Sequence, residues 1–154
     1  GPCIVGNMGS NQRFDYSVLG DDVNLASRLE GANKFFGSYI MISESTLKEA
    51  GDCVVARELG RVRVVGKDDP VRVYELLAKK GDLSPAWRQA LSIYEKGIAD
   101  FEQKNFEAAL ASFNKVLEII PKDGPSTLYQ HVAADYAVIP PPEDWDGVFK
   151  LTAK

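Results

Sequence analysis

The pattern of apolar residues changes abruptly near residue 80, and this change limits the folds that the chain can adopt. Before it, short runs rich in β-branched and aromatic residues predict strands at 3–5, 16–19, 39–42, 54–59, 61–65 and 71–77. After it, apolar residues recur every three or four positions, which is typical of helices. The polar, turn-rich stretch between the two patterns places a boundary within residues 80–84.

The first part also contains helices between its strands. Leu25, Leu29, Ala32 and Phe36 recur at spacings of four, three and four, so residues 22–36 are predicted to form a helix with one apolar face. A short helix should follow at residues 43–50, because Ser43 can cap its start and Gly51 can end it. The resulting order, β-β-α-β-α-β-β-β, indicates an α+β fold for residues 1–80.

The second part is predicted to be a small all-α helical hairpin, with helices at residues 87–103 and 105–120. Gly97, Ala109, Phe113 and Pro121 match the spacing of a tetratricopeptide unit. A lone unit lacks the neighbours that stabilise a repeat array, so a third helix at residues 125–137 is expected to support it. We therefore predict a tetratricopeptide-like unit at residues 84–137 and a Pro-rich extended tail at 138–154. The aromatic residues Trp145 and Phe149 should fold back onto apolar surface.

Composition excludes several classes of function. The chain has 18 Lys and Arg against 22 Asp and Glu, a net charge of -4, which argues against a nucleic-acid partner. Cys3 and Cys53 are far apart in apolar runs, so both are predicted to be reduced core residues. Neither an apolar run of about 20 residues nor a signal-peptide pattern occurs, so we expect no direct membrane contact. The chain begins without Met inside an apparent strand and is expected to be part of a longer protein.

Asn24 and Arg28 are the first candidates for function. They lie four residues apart on the predicted helix 22–36, so both should stand on one side, beside the apolar stripe. They also fall in its first two turns, where the helix dipole favours bound anions such as phosphates. An exposed Asn and Arg at this spacing also occur on many helices without a role, so the spacing alone does not decide between the two interpretations.

A longer motif favours function. The string GNMGS at residues 6–10 and the string RFDYSVLGDDVNLASRLE at 13–30 resemble the signature of class III adenylate and guanylate cyclases. The similarity continues through residues 42–44, 59–60 and 65–67 to Val73-Tyr74-Glu75. It implies that residues 1–80 are the C-terminal half of a cyclase catalytic domain, a partial ferredoxin-like sheet with helices on one face. Such enzymes convert a nucleoside triphosphate to a 3′,5′-cyclic monophosphate and pyrophosphate.

The resemblance assigns roles to individual residues. Asn24 matches the asparagine that orients the ribose, and Arg28 matches the arginine that stabilises the transition state. Ser17 falls at the position that reads the base, where its hydroxyl resembles the threonine of some adenylate cyclases and favours ATP over GTP without deciding between them. Lys67 matches the lysine that reaches the terminal phosphates, and the weaker alternative is a solvated lysine in a hairpin turn. Arg13 could contact triphosphate or a partner subunit, or pair with a neighbouring aspartate.

The same resemblance implies Mg²⁺ or Mn²⁺, held by two aspartates of the intact enzyme. Neither aspartate motif occurs in this chain, and Asp21, Asp22, Asp68 and Asp69 do not replace them. We therefore expect this chain alone to be inactive and the intact enzyme to work as a homodimer with shared sites. A location on the cytoplasmic side is expected, with any membrane tether of the whole protein left open. The alternative is a non-catalytic protein-interaction module that uses the helical part.

Overall fold

The computed structural model describes residues 1–9, 14–64 and 69–151. Its strands are β1 (Ile4–Asn7), β2 (Tyr16–Leu19), β3 (Met41–Ser43), β4 (Val54–Arg63), β5 (Val71–Lys79) and β6 (Val148–Lys150). Its α-helices are α1 (Asp21–Phe36), α2 (Glu44–Ala50), α3 (Pro85–Glu102), α4 (Phe106–Ile119) and α5 (Gly124–Val138), with a 3₁₀ turn at Gly51–Cys53. The predicted α+β class is confirmed.

The strands form two separate sheets. β1 and β2 pair as an antiparallel hairpin, while the other four strands form a sheet in the order β3-β5-β4-β6. β4 and β5 are its long antiparallel centre, and β6 returns from the C-terminal part of the chain to pair in parallel with β4. The large sheet therefore combines strands from both sides of the compositional change.

Residues 54–59 and 61–65 do not form two strands, as the sequence pattern predicted. Residues 54–59 and 61–63 belong to one strand, β4, whose pairing with β5 shifts register between Glu58 and Gly60, and residue 65 lies outside the described residues. Gly60 has a φ of 104°, a conformation that a side chain disfavours, so glycine allows a bulge instead of ending the strand. The bulge preserves a single long strand that can support the helices.

The predicted helices of the first part are confirmed within one residue. The four residues of the apolar stripe of α1 are all buried. Ser43 caps α2 by accepting a hydrogen bond from the Thr46 amide at 3.3 Å, and Gly51 follows the last helical residue. Local sequence signals are therefore sufficient to place α1 and α2.

Helices α3 and α4 form the expected hairpin, and α5 is the expected third helix. Gly97 lies so close to Phe113 that an added Cβ would meet its ring at 3.0 Å, and Ala109 and Phe113 are fully buried. This is the packing that the small-residue pattern predicted, although membership of the tetratricopeptide class stays a prediction. The division into units at 1–80, 84–137 and 138–154 also stays a prediction. One apolar core contains residues from the sheet and from all three helices.

The two cysteines were predicted to be in the core, and this is wrong. Both are free and exposed. Cys3 precedes the hairpin β1–β2, where Ile4 and Tyr16 are 68% and 82% exposed, and Cys53 ends the 3₁₀ turn at the rim of the sheet. An apolar run therefore did not imply burial, because the described residues cover little of this hairpin and Cys53 lies outside the core in the 3₁₀ turn.

Candidate functional site

The candidate site is built around the start of α1. β2 ends at Leu19, Gly20 takes an extended conformation, and the helix begins at Asp21. The backbone N–H of Asn24 donates to the Gly20 carbonyl at 3.0 Å and so closes the first turn. Asp21 and Asp22 lie in that turn, where negative side chains stabilise the helix dipole. The entry to α1 is therefore set by a short strand–glycine–helix connection.

Asn24 and Arg28 stand on the exposed side of α1. Leu25 and Leu29, which follow each of them by one residue, are buried. The helix thus holds an amide and a guanidinium one turn apart, next to solvent and on a backbone fixed by the core. Both side chains are exposed, and among the described residues neither takes part in an ion pair.

The remaining predicted site residues are placed less completely. Ser17 is half-buried in β2, directly opposite Gly6 of β1, and precedes α1 by a few residues. Arg13 and Lys67 lie outside the described residues. The structure therefore brings Asn24 and Arg28 together on one helix, with Ser17 on the adjoining strand, and the roles of all five residues stay predictions.

The described residues do not fit the metal that the resemblance implies. Within 1–9, 14–64 and 69–151, no group of three or more His, Cys, Asp or Glu side chains could hold a metal ion. Asp21 and Asp22 are exposed in consecutive positions of one helical turn. No chemical step through Mg²⁺ or Mn²⁺ can be assigned to this part of the chain.

A buried cluster of charges, which the sequence reasoning missed, lies between the sheet and the helical part. The guanidinium of Arg57 on β4 donates to Glu75 on β5 from Nε at 2.8 Å and from Nη2 at 2.6 Å. It also donates from Nη1 to Asp123, just before α5, at 2.8 Å. The three residues are at most 4% exposed. We call them the Arg57 cluster, and it joins the sheet to the helical part.

Several further contacts support the Arg57 cluster. The second oxygen of Glu75 accepts from the Tyr39 amide at 3.1 Å, and Asp123 also caps α5. The rings of Tyr94 and Trp87 lie 4.7 and 5.2 Å from the guanidinium carbon. Burial alone would lower the pKa of Arg57. The hydrogen bond to Asp123 and the nearby negative charges raise it by more than burial lowers it, so the net shift of the pKa is upward. The cluster is therefore a permanently charged structural joint.

Two tyrosines complete the joint by covering the edge of β4. Tyr94 on α3 donates to the Glu58 carbonyl at 3.0 Å, and Tyr129 on α5 donates to the Leu59 carbonyl at 2.9 Å. Burial raises the pKa of both phenols, which keeps them protonated and able to donate. Next to the Gly60 bulge, side chains thus replace the hydrogen bonds that another strand would make.

Among the described residues, no helix is sufficiently long and apolar to cross a membrane.

Comparison with known proteins gives consistent similarities to adenylate cyclases. No protein-family model matches the chain. It is 33% identical over 133 residues to "Adenylate cyclase, terminal-differentiation specific" of Dictyostelium discoideum, covering 84% of this chain and 6% of that protein. It is 36% identical over 77 residues to Adenylate cyclase 1 of Rhizobium meliloti, covering 50% and 12%. It is 37% identical over 81 residues to an adenylate cyclase of Anabaena cylindrica, covering 51% and 16%.

A solved structure, the adenylyl cyclase CyaB from P. aeruginosa, is 39% identical and covers 53% of this chain and 41% of that chain, with a TM-score of 0.45. The chain spans only 6% to 16% of the length of the three relatives above. The alignment with the Dictyostelium protein covers 84% of this chain. Residues 1–80 are only about half of the chain, so the alignment must extend into the helical part. The sequence similarities to the three relatives support a class III cyclase-like domain in this chain.

Proposed function

We propose that this chain is the part of an adenylate cyclase that recognises the nucleotide and stabilises the transition state. The observation that carries the proposal is the exposed pair on α1, where Asn24 and Arg28 stand one turn apart near the helix start. The names of the relatives support ATP as substrate and cyclic AMP as product. The whole protein would then act in signalling inside the cell.

In this proposal, Arg28 acts on the charge that develops during the reaction. The ribose 3′-oxygen attacks the α-phosphorus, and negative charge builds up on the phosphate oxygens as pyrophosphate leaves. A guanidinium is a permanent forked donor for such oxygens. Because α1 is anchored in the core along its whole length, Arg28 is held near its working position before substrate binds.

Asn24 and Ser17 would fix the nucleotide. An amide offers both a donor and an acceptor, which suits the hydroxyl and ring oxygen of a ribose. Ser17, half-buried in β2, would lie against the base, and its hydroxyl is compatible with adenine. Lys67 and Arg13 are proposed contacts of the triphosphate. Mg²⁺ or Mn²⁺ would be held by two aspartates of the intact enzyme that this chain does not contain.

The proposed enzyme is a homodimer, in which each site is shared between two subunits. Support comes from the hairpin β1–β2, whose Ile4, Val5, Tyr16 and Leu19 are all more than half exposed. Apolar surface of this kind commonly marks an interface. It lies next to Ser17 and leads directly into α1, so a surface that covers it would also complete the candidate site.

The proposal is tested by cyclic AMP formation in the longer protein that contains the upstream half of the domain. With ATP and Mg²⁺ or Mn²⁺, the wild type should produce cyclic AMP, and Arg28→Ala should remove most of the activity. Lys34→Ala is the matched control, because it deletes a cation from the same exposed helix three turns from its start. No cyclic AMP from the wild type, or equal loss in both variants, would refute the proposal.

A further inference from the structure

The last nine described residues, 143–151, pack against the surface of the helical part and of β4. After α5 the chain passes through Pro140, Pro141 and Pro142, and residues 143–151 then lie across the helical part and the sheet edge. We call residues 143–151 the strap. Only three of its residues pair with β4, in the parallel register that matches Val148 with Arg61 and Lys150 with Arg63.

Two aromatic side chains anchor the strap. Trp145 contacts one aromatic ring from each helix of the helical part, with ring centroids 5.6 Å from Phe101, 5.8 Å from Phe106 and 5.6 Å from Tyr136. Edge-to-face arrangements at these distances are favourable. The first anchor therefore depends on all three helices at once.

The second anchor reaches α1. Phe149 lies 5.5 Å from Phe35 and 5.4 Å from Phe36, the last two residues of that helix, and 5.6 Å from Tyr129 of α5. The same end of α1 meets α5 directly, where Gly37 and Gly124 are in backbone contact. The strap thus ends on the helix that carries Asn24 and Arg28.

Basic residues bind the strap before the first anchor and between the two anchors. Arg61 donates to the Asp146 carbonyl, Arg63 pairs with the Asp146 carboxylate at 3.5 Å, and Lys104 donates to the Glu143 carbonyl at 3.4 Å. The Val148 amide donates to Asp146 at 3.0 Å and, with Arg63 nearby, lowers the pKa of that carboxyl. Gly147, with a φ of 70°, permits the turn between the anchors.

We propose that the strap is a separable ligand of a peptide-binding groove, and that its occupancy holds the end of α1 in place. The groove consists of residues 61–63, the Trp145 contacts Phe101, Phe106 and Tyr136, and the Phe149 contacts Phe35, Phe36 and Tyr129. Its occupant is this chain's own segment EDWDGVFKL, an acidic peptide with two aromatic residues four positions apart. The short strand pairing and the exposed ion pair make this segment the kind of element that opens before the core does.

The test uses full-length variants of this chain and a fluorescent peptide with the sequence EDWDGVFKL. Asp146→Arg places a cation against Arg61 and Arg63 without touching a buried group, and Asp144→Arg makes the same charge change two residues away in the same exposed segment. The tethered strap competes at an effective concentration on the order of millimolar. We therefore expect the peptide to bind Asp146→Arg at least about tenfold more tightly than the wild type or Asp144→Arg.

Two further measurements make the test decisive. A peptide with both aromatic residues changed to alanine should not bind Asp146→Arg. Hydrogen exchange at residues 33–37 should accelerate in Asp146→Arg and slow again when the original peptide saturates it. No peptide binding by Asp146→Arg, or equal binding by the wild type, overturns the proposal. Binding without any change in exchange at residues 33–37 overturns the link to α1.

Discussion

Replacing Arg57 with methionine should destabilise the protein strongly, because the change leaves two buried carboxylates without their cation. Arg57 donates two hydrogen bonds to Glu75 and holds Asp123 as well, and both carboxylates are at most 4% exposed. Breaking a buried ion pair by removing one partner typically costs about 3–5 kcal/mol. Methionine fills much of the space of the arginine stem, so most of the loss would be electrostatic.

The pH dependence separates this mechanism from a simple packing defect. Without Arg57, the carboxylates of Glu75 and Asp123 would repel each other in a buried site, and this repulsion costs stability only while both are charged. That cost decreases as the pH falls, whereas the cost of a packing defect does not. The difference in the free energy of unfolding between Arg57→Met and the wild type should therefore be smaller at pH 5 than at pH 7.

The assay is urea unfolding followed by circular dichroism at both pH values. Arg72→Met is the matched control, since Arg72 pairs with Glu58 on the same two strands but is 36% exposed. That pair should contribute no more than about 1 kcal/mol. A loss below about 1 kcal/mol for Arg57→Met at pH 7, or a loss that does not depend on pH, would refute the reasoning.

Three other predictions concern the joint between the sheet and the helices. Gly124→Ala should lower stability by about 1–3 kcal/mol, because the new Cβ would lie 2.3 Å from the Gly37 carbonyl, while Gly31→Ala, with open space around it, should be neutral or stabilising in the same unfolding assay. Tyr129→Phe should lower the free energy of unfolding by about 1–3 kcal/mol at pH 7, because it leaves the buried Leu59 carbonyl without a donor. Above pH 10 the unfolded wild type can ionise this tyrosine while burial keeps the folded one protonated, so the wild type loses stability and the difference between the two proteins should become smaller. Residues 84–154 alone should not unfold cooperatively in circular dichroism, because they lose their buried partners on the sheet; a sharp transition would argue for an independent module.

Local signals in the sequence were sufficient for the helices. The stripe on α1, the serine cap of α2 and the small residue at Gly97 each act over a few positions, and each led to the correct element. The sequence also placed Asn24 and Arg28 on the exposed side of α1. The sequence did not predict that Ser17 is half-buried, because the burial of a strand residue depends on what packs against the hairpin.

Long-range features were not predicted for identifiable reasons. Gly60 looked like a strand end, but a bulge keeps β4 continuous. β6 has only three residues and pairs with a strand more than eighty positions earlier, so no local pattern could reveal it. The Arg57 cluster did have a signature in the sequence. Side chains alternate between the two faces of a strand, which places Arg57 on the same buried face as Leu59 and Glu75 on the same buried face as Val73.

The central claim is that Arg28 stabilises the transition state from a preorganised helix. Its most direct test is the steady-state kinetics of Arg28→Ala in the longer protein, with Lys34→Ala as control. We predict that kcat falls about 100-fold or more while KM for ATP changes little, and that the control retains wild-type values. An unchanged kcat with a raised KM would show that Arg28 only binds substrate and would contradict the claim.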